Sequence, residues 1–326
     1  MSRLPLHVLT GFLGSGKTTL LNRLLRDPAM ADSAVLINEI GDVAIDHHLV
    51  DRVQSEDGVE TIVLAGGCTC CVVRGDMVAA LKALHARRAE GRVPPFARVV
   101  LETTGLADPA PILFTLAADP VLRHRFERGL VVTAVDAVHG ADQMRRFPEA
   151  RRQVALADRI VVTKRDIADA ATLQARLAAL NPAADLAGPA DDLLAAHAAF
   201  VADPLARLGR AGPFLPALPV PAEAEHTADI AAVVLTRATP IDWAAFGVWL
   251  SLLLHAHGER ILRLKALLDV EGWPAPVALH GVHHLVHPPQ HLERWPAGIA
   301  GSRIVLIGER LDGAAMQSSL DRFLAG

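Results

Sequence analysis

The sequence predicts an α/β chain: a domain with a mostly parallel sheet and flanking helices, followed by a small α+β domain with an antiparallel sheet. Three observations predict it. Through the first two-thirds of the 326 residues, short near-continuous apolar runs alternate with helical patterns, as expected of strands buried on both faces. Then Pro204, Pro213, Pro216, Pro219 and Pro221 crowd one stretch too densely for regular structure. Beyond it one helical pattern is followed by several strand patterns and a last helix. The expected division is 1–203, a proline-rich linker at 204–226, and 227–326.

In the first domain the strands are expected at Leu6–Thr10, Ala34–Asn38, Glu60–Leu64, Arg98–Glu102, Leu130–Asp136 and Arg159–Lys164. Thr18–Arg26 gathers Leu20, Leu21, Leu24 and Leu25 on one helix side. A second helix is expected at Asp76–Arg88, and Leu173, Leu177 and Leu180 keep helical spacing. The second domain reads as strand Ile230–Arg237, helix Asp242–His255, strands Arg260–Val270, Pro276–Val286 and Arg303–Gly308, and helix Gly313–Leu324.

Composition excludes some classes of function. Against 36 Asp+Glu stand 32 Lys+Arg, a net charge of -4, so the basic excess that coats nucleic acid is missing. The longest apolar stretch, Trp243–Leu254, falls short of the roughly 20 residues of a membrane span. Met1-Ser2-Arg3-Leu4-Pro5 leads straight into a strand pattern without a secretory apolar region, and a cytoplasmic location is expected. The only cysteines, Cys68, Cys70 and Cys71, lie within four residues. In a reducing compartment such a cluster is a metal or redox site and not a disulfide scaffold.

Gly11-Phe12-Leu13-Gly14-Ser15-Gly16-Lys17-Thr18 fits G-x-x-x-x-G-K-[ST] at every fixed position, with a strand before it and a helix after it. The glycines let backbone N–H groups turn inward around phosphate oxygens, and the helix N-terminus adds partial positive charge. Gly11, Gly14, Ser15, Gly16, Lys17, Thr18 and Thr19 are the expected nucleotide contacts. Lys17 is expected to reach the β- and γ-phosphates, and Thr18 to hold Mg²⁺ through its hydroxyl. Val99–Gly105 is an apolar strand ending in Glu102, placed to bind Mg²⁺ through water or to orient the attacking water. Gly105 can bring a backbone N–H to the γ-phosphate.

Thr163-Lys164-Arg165-Asp166 resembles the guanine-reading N-K-x-D, with threonine in place of asparagine. A carboxylate at Asp166 accepts from both N1–H and N2–H₂ of guanine. Adenine offers no such donor pair, so Asp166 would select GTP, with the Lys164 stem across the base.

Three thiols in C-x-C-C are close enough for two or three to bind one soft metal ion. Zn²⁺ takes four ligands in a tetrahedron. The fourth comes from elsewhere or stays open for exchange, as a protein that hands metal over would need. Thiolate also suits Cu(I), and a redox pair or inert buried cysteines are the other readings. Asn38–Asp46 follows the second strand where GTPases carry their first switch, and Glu39 there is a candidate extra metal ligand.

Together the phosphate loop with Thr19, Asn38-Glu39-x-Gly41, Cys68-Thr69-Cys70-Cys71, Glu102–Pro109, Val135-Asp136-Ala137 and Thr163–Asp166 resemble the CobW-like P-loop GTPases, a family of metal chaperones and insertases. Arg263-Leu264-Lys265, Gly281-Val282-His283 and Ser302–Gly308 look like that family's second domain. The resemblance implies GTP/GDP and Mg²⁺ at a hydrolysing site using Lys17, Glu102 and Gly105. It also implies Zn²⁺, or Co²⁺ or Ni²⁺, on Cys68, Cys70 and Cys71. Some relatives carry a glutamate where this chain has Ile37. The function expected is a slow GTPase metallochaperone, monomeric or homodimeric, that delivers metal to a client metalloprotein, with neither nucleic acid nor membrane as partner. A P-loop kinase or ATPase with a structural zinc, and a metal-responsive binding module without catalysis, are the rivals. Finally, His280, His283, His284, His287 and His291 are spaced like a helix face, but Gly281, Pro288 and Pro289 argue against a helix. As a strand, His280 and His284 would share one face.

Overall fold

The computed structural model describes residues 3–39, 60–65, 72–187, 230–295 and 300–324. The chain divides into two compact units, the first formed by residues up to 174 with 186–197, the second by 175–185 and the chain from 198 on.

In the first unit, β1 (Leu4–Gly11), β2 (Ser33–Glu39), β3 (Glu60–Ala65), β4 (Arg98–Glu102), β5 (Phe126–Asp136), β6 (Arg159–Thr163) and β7 (Asp185–Ala187) form one sheet in the order β3-β2-β4-β1-β5-β6-β7. The first six pair in parallel. The middle strands are buried along nearly their whole length, which is why they read as continuous apolar runs. Helices α1 (Lys17–Leu25), α2 (Val72–Ala89), α3 (Ala110–Ala118), α4 (Leu122–Arg125), α5 (Gly140–Arg146) and α6 (Pro148–Leu156) fall between the strands, and α7 (Ala171–Leu180) begins in the first unit with most of its residues assigned to the second. The chain goes to one side of β1 for β2 and β4, and to the other for β5. Ligands bind at the carboxyl ends of strands around such a reversal. The registers bring those ends level: Leu9 pairs with Glu102, Gly11 with Ala134, and Asp136 with Thr163.

The boundaries differ from the sequence reading in instructive places. β1 begins at Leu4 and includes Pro5; pairing with β4 begins only at Leu6, so the missing N–H of Pro5 leaves no gap on that side. Helix α2 begins four residues before Asp76, across Val72, Val73 and Gly75, which are weak helix formers.

The second unit is antiparallel. β8 (Ile230–Arg237), β9 (Ile261–Leu268), β10 (Val277–Val282), β11 (Leu285–Val286) and β13 (Ser302–Glu309) run in the order β11-β10-β9-β13-β8, and β12 (Gln290–His291) pairs with β10. Leu264, Ala266, Leu268, Val277, Leu279, Ile304 and Leu306 face Phe246, Trp249, Leu250 and Leu253 of α8 (Trp243–His257) and Met316 and Leu320 of α9 (Gly313–Phe323). Asp242 and Asp312 cap these helices, accepting from Ala245 N and Ala315 N.

The expected strand Pro276–Val286 is corrected. Val282 pairs with Leu285 across a two-residue turn in which His283 has φ 51, the conformation of a tight hairpin. His280 is therefore buried in β10 while His284 is exposed in the turn, and the two do not share a strand face. No helix among the described residues is long and apolar enough to cross a membrane.

Candidate nucleotide site

The phosphate loop joins β1 to α1. Gly16, at φ 83, occupies the helix N-cap, a left-handed conformation that glycine adopts without strain. No side chain caps α1 and its first turn holds no acidic residue. Neither a capping side chain nor an acidic group thus competes with an anion for this end of the helix. Ser15 N donates to Phe12 O at 3.1 Å and closes the loop. Lys17 Nζ donates to Gly11 O at 2.9 Å and Phe12 O at 3.3 Å, so the ammonium lies against the loop's own backbone. Thr19 is exposed, and Ser15 is fully buried.

Beside the loop, Glu102 ends β4 and is only 5% exposed. Its Oε1 accepts from Thr18 Oγ1 at 2.8 Å, although 84 residues separate the two. A buried carboxylate and a hydroxyl side by side form a hard-oxygen donor set that suits Mg²⁺. The chain then turns. Thr103 N donates to Leu9 O at 2.9 Å and Thr103 Oγ1 to Thr10 Oγ1 at 2.8 Å, which lock the end of β4 to β1. Gly105 rests directly on the loop: a Cβ there would stand 2.7 Å from Leu13 N and 2.8 Å from its Cα.

On the opposite side, β6 delivers Thr163, Lys164 and Asp166. Thr163 Oγ1 donates to Ser15 O at 2.7 Å, which ties the base-reading segment to the phosphate loop. Lys164 has φ 56, and its Nζ meets Asp136 Oδ2 at 2.7 Å. Asp166 is exposed, two residues on. Thus Gly11–Thr18, Glu102, Gly105 and Thr163–Asp166 line one edge of the sheet.

Asp136, part of the Val135-Asp136-Ala137 segment, received no role of its own in the sequence reading. It is 1% exposed, and its Oδ1 accepts from Val138 N at 2.7 Å and His139 N at 3.3 Å. Burial pushes its carboxyl up, but the Lys164 ammonium and the two amides outweigh this and hold it below the usual carboxylate range. Gln153, which motif reading missed, donates to the carbonyls of Gly105 and Ala107. Its one visible signal is a polar residue in the buried stripe Ala150, Val154, Ala157.

Cys68, Cys70 and Cys71 lie outside the described residues, as does the 204–226 linker. Glu39 closes β2, with its side chain outside the description. Among the described residues no group of three or more metal-ligating side chains stands together.

Residues 5–187 match the CobW/HypB/UreG nucleotide-binding domain, and residues 230–324 the cobalamin synthesis protein cobW C-terminal domain. The zinc chaperone YjiA of Escherichia coli is 32% identical over 286 residues, 87% of this chain and 88% of that protein. The zinc chaperone CobW of Pseudomonas aeruginosa is 31% identical over 375 aligned residues, 100% of this chain and 92% of the relative. The crystal structure of zinc-bound YjiA GTPase from E. coli is similar with a TM-score of 0.73 at 27% identity, covering 99% of each chain. With its fold, its phosphate loop and both of its domains matched, the chain belongs to the CobW/HypB/UreG family.

Proposed function

We propose that this protein is a GTP-hydrolysing metallochaperone of the cytoplasm that carries zinc on Cys68, Cys70 and Cys71 and releases it to a client metalloprotein according to nucleotide state. The observation that carries the reading is the Thr163–Ser15 hydrogen bond of 2.7 Å. It joins a phosphate-binding loop to a guanine-type motif at one sheet edge. The zinc-chaperone and GTPase names of the relatives support the activity and the cargo.

Each residue has a stated task. The amides of Gly14–Thr19 cradle the phosphates and Lys17 neutralises their charge. Thr18 and Glu102 would hold Mg²⁺, which when bound offsets charge between the β- and γ-phosphates. Glu102 also orients the attacking water. Gly105 N–H meets the γ-phosphate, and Asp166 accepts from guanine while the Lys164 stem covers the base. Zinc is the cargo here; three thiolates leave one position of its tetrahedron open to exchange. Co²⁺ and Ni²⁺ are the alternative cargoes.

Nucleotide-gated release requires the two nucleotide states to differ in metal affinity. A 100-fold difference corresponds to about 2.7 kcal/mol of coupling. The test is a zinc titration of the reduced protein against a chromophoric chelator, with GDP and with a non-hydrolysable GTP analogue. Binding that is lost in Cys70→Ala/Cys71→Ala and shifts between nucleotides is the expected result. Equal affinity in both states overturns gated release.

A further inference from the structure

Gln153 is a long polar side chain buried to 1% exposure on α6, and no step above uses it. Its Nε2 donates to Gly105 O at 3.1 Å and to Ala107 O at 2.9 Å. Both partners can only accept, so chemistry fixes which end of the amide faces them. Its Oε1 is buried with no hydrogen-bond partner among the described residues. The helix position itself is anchored, because Thr133 Oγ1 on β5 donates to the Gln153 carbonyl at 2.9 Å.

The same hairpin of helices holds the phosphate loop. The Phe147 ring stacks on Phe12 with centroids 4.7 Å apart, and Gln143 Nε2 donates to Leu13 O at 3.4 Å. Gly105 in turn lies against Leu13 with no room for a side chain. The α5–α6 hairpin therefore grips both backbone segments that border the γ-phosphate position, one by ring stacking and one by a double amide clamp.

We infer that Gln153 is a positioning residue for GTP hydrolysis, which clamps the 105–107 turn so that Gly105 N–H stands ready beside the phosphate loop before GTP arrives. The inference rests on the proposed contact of Gly105 with the γ-phosphate. A turn left free would have to be ordered at each binding event, at a cost in affinity and in the alignment of the hydrolysis site. GDP lacks the γ-phosphate and does not draw on the clamp.

Gln153→Met keeps the side-chain volume, relieves the orphan acceptor and removes the donor to both carbonyls; a thermal melt of the variant checks that it folds. Its kcat for GTP should fall at least tenfold, and its affinity for a non-hydrolysable GTP analogue at least fivefold, with GDP affinity within twofold of the parent. Gln153→Glu sets a carboxylate against two carbonyl oxygens and should show a larger effect of the same kind. Equal weakening of GDP and analogue would reduce Gln153 to a packing role and overturn the inference. An unchanged kcat, or tighter analogue binding, overturns it as well. Lys17→Ala separates the two levels. If it abolishes hydrolysis while Gln153→Met leaves it intact, the clamp fails and the site stands. If Lys17→Ala hydrolyses GTP at the parent rate, the site reading fails and the clamp with it.

Discussion

Thr163 stands where the guanine motif has asparagine, and its hydroxyl donates to the Ser15 carbonyl. Thr163→Val keeps the shape and removes the donor. A net hydrogen bond is worth about 1 kcal/mol, so GDP affinity should fall about fivefold in a fluorescent-nucleotide titration. Thr163→Asn should stay within twofold of the parent. Asp136 gives a pH prediction. Its carboxyl titrates below the usual range in the folded protein, so the stabilisation is whole above the unfolded aspartate value. It is lost as pH falls through the lower folded value. Asp136→Asn keeps an oxygen for the Val138 and His139 amides but loses the ion pair. It should cost about 2 kcal/mol at neutral pH in urea unfolding, and the gap to the parent should close in acid. The phosphate-loop motif is legible because its residues are consecutive, whereas the contacts of Thr18 with Glu102 and of Thr163 with Ser15 span 84 and 148 residues. Gln153 was not legible, since its partner Gly105 stands 48 residues away, and neither was the meeting of Asp136 with Lys164, 28 residues on.

Among the elements, the buried strands were legible because a strand covered on both faces has to be apolar throughout. What escaped were places where one residue overrules a pattern. Pro5 lies in β1 opposite Glu127 of β5, one residue before β4 begins to pair. His283 takes a positive φ and folds one expected strand into a hairpin, which separates His280 from His284. The second unit's helix starts follow their sequence signals closely. Asp242 accepts from Ala245 N at 2.6 Å, so Asp242→Ala should cost about 1 kcal/mol and lower the melting temperature by a few degrees. Calorimetry would check it.

For the molecule as a whole, the proposed nucleotide site makes stability a function of ligand concentration. With Mg²⁺, GDP at about 100 times its Kd should stabilise the protein by about 2.7 kcal/mol, seen as a rise in melting temperature. ADP at the same concentration should give little rise, and Asp166→Ala should erase the difference between the two. An equal rise with ADP in the parent would remove the guanine preference and favour a P-loop ATPase. The proline-rich stretch falls between the two matched domain spans, 5–187 and 230–324. Cys68, Cys70 and Cys71 lie outside the described residues, and the sequence alone does not name the further ligands that the proposed metal site needs.

The centre of the first sheet also sets an order of events in synthesis. β1 is made well before its neighbours β4 and β5, with Leu6 paired to Val99 and Leu4 to Phe126. At roughly 5–20 residues per second of translation, this apolar strand waits on the order of 5–20 s for its first partner. Through that interval both of its edges are open to other chains. The central seat of the phosphate loop is thus gained at the risk of aggregation on the ribosome, and nascent chains ending before Arg98 should depend on chaperones to stay soluble.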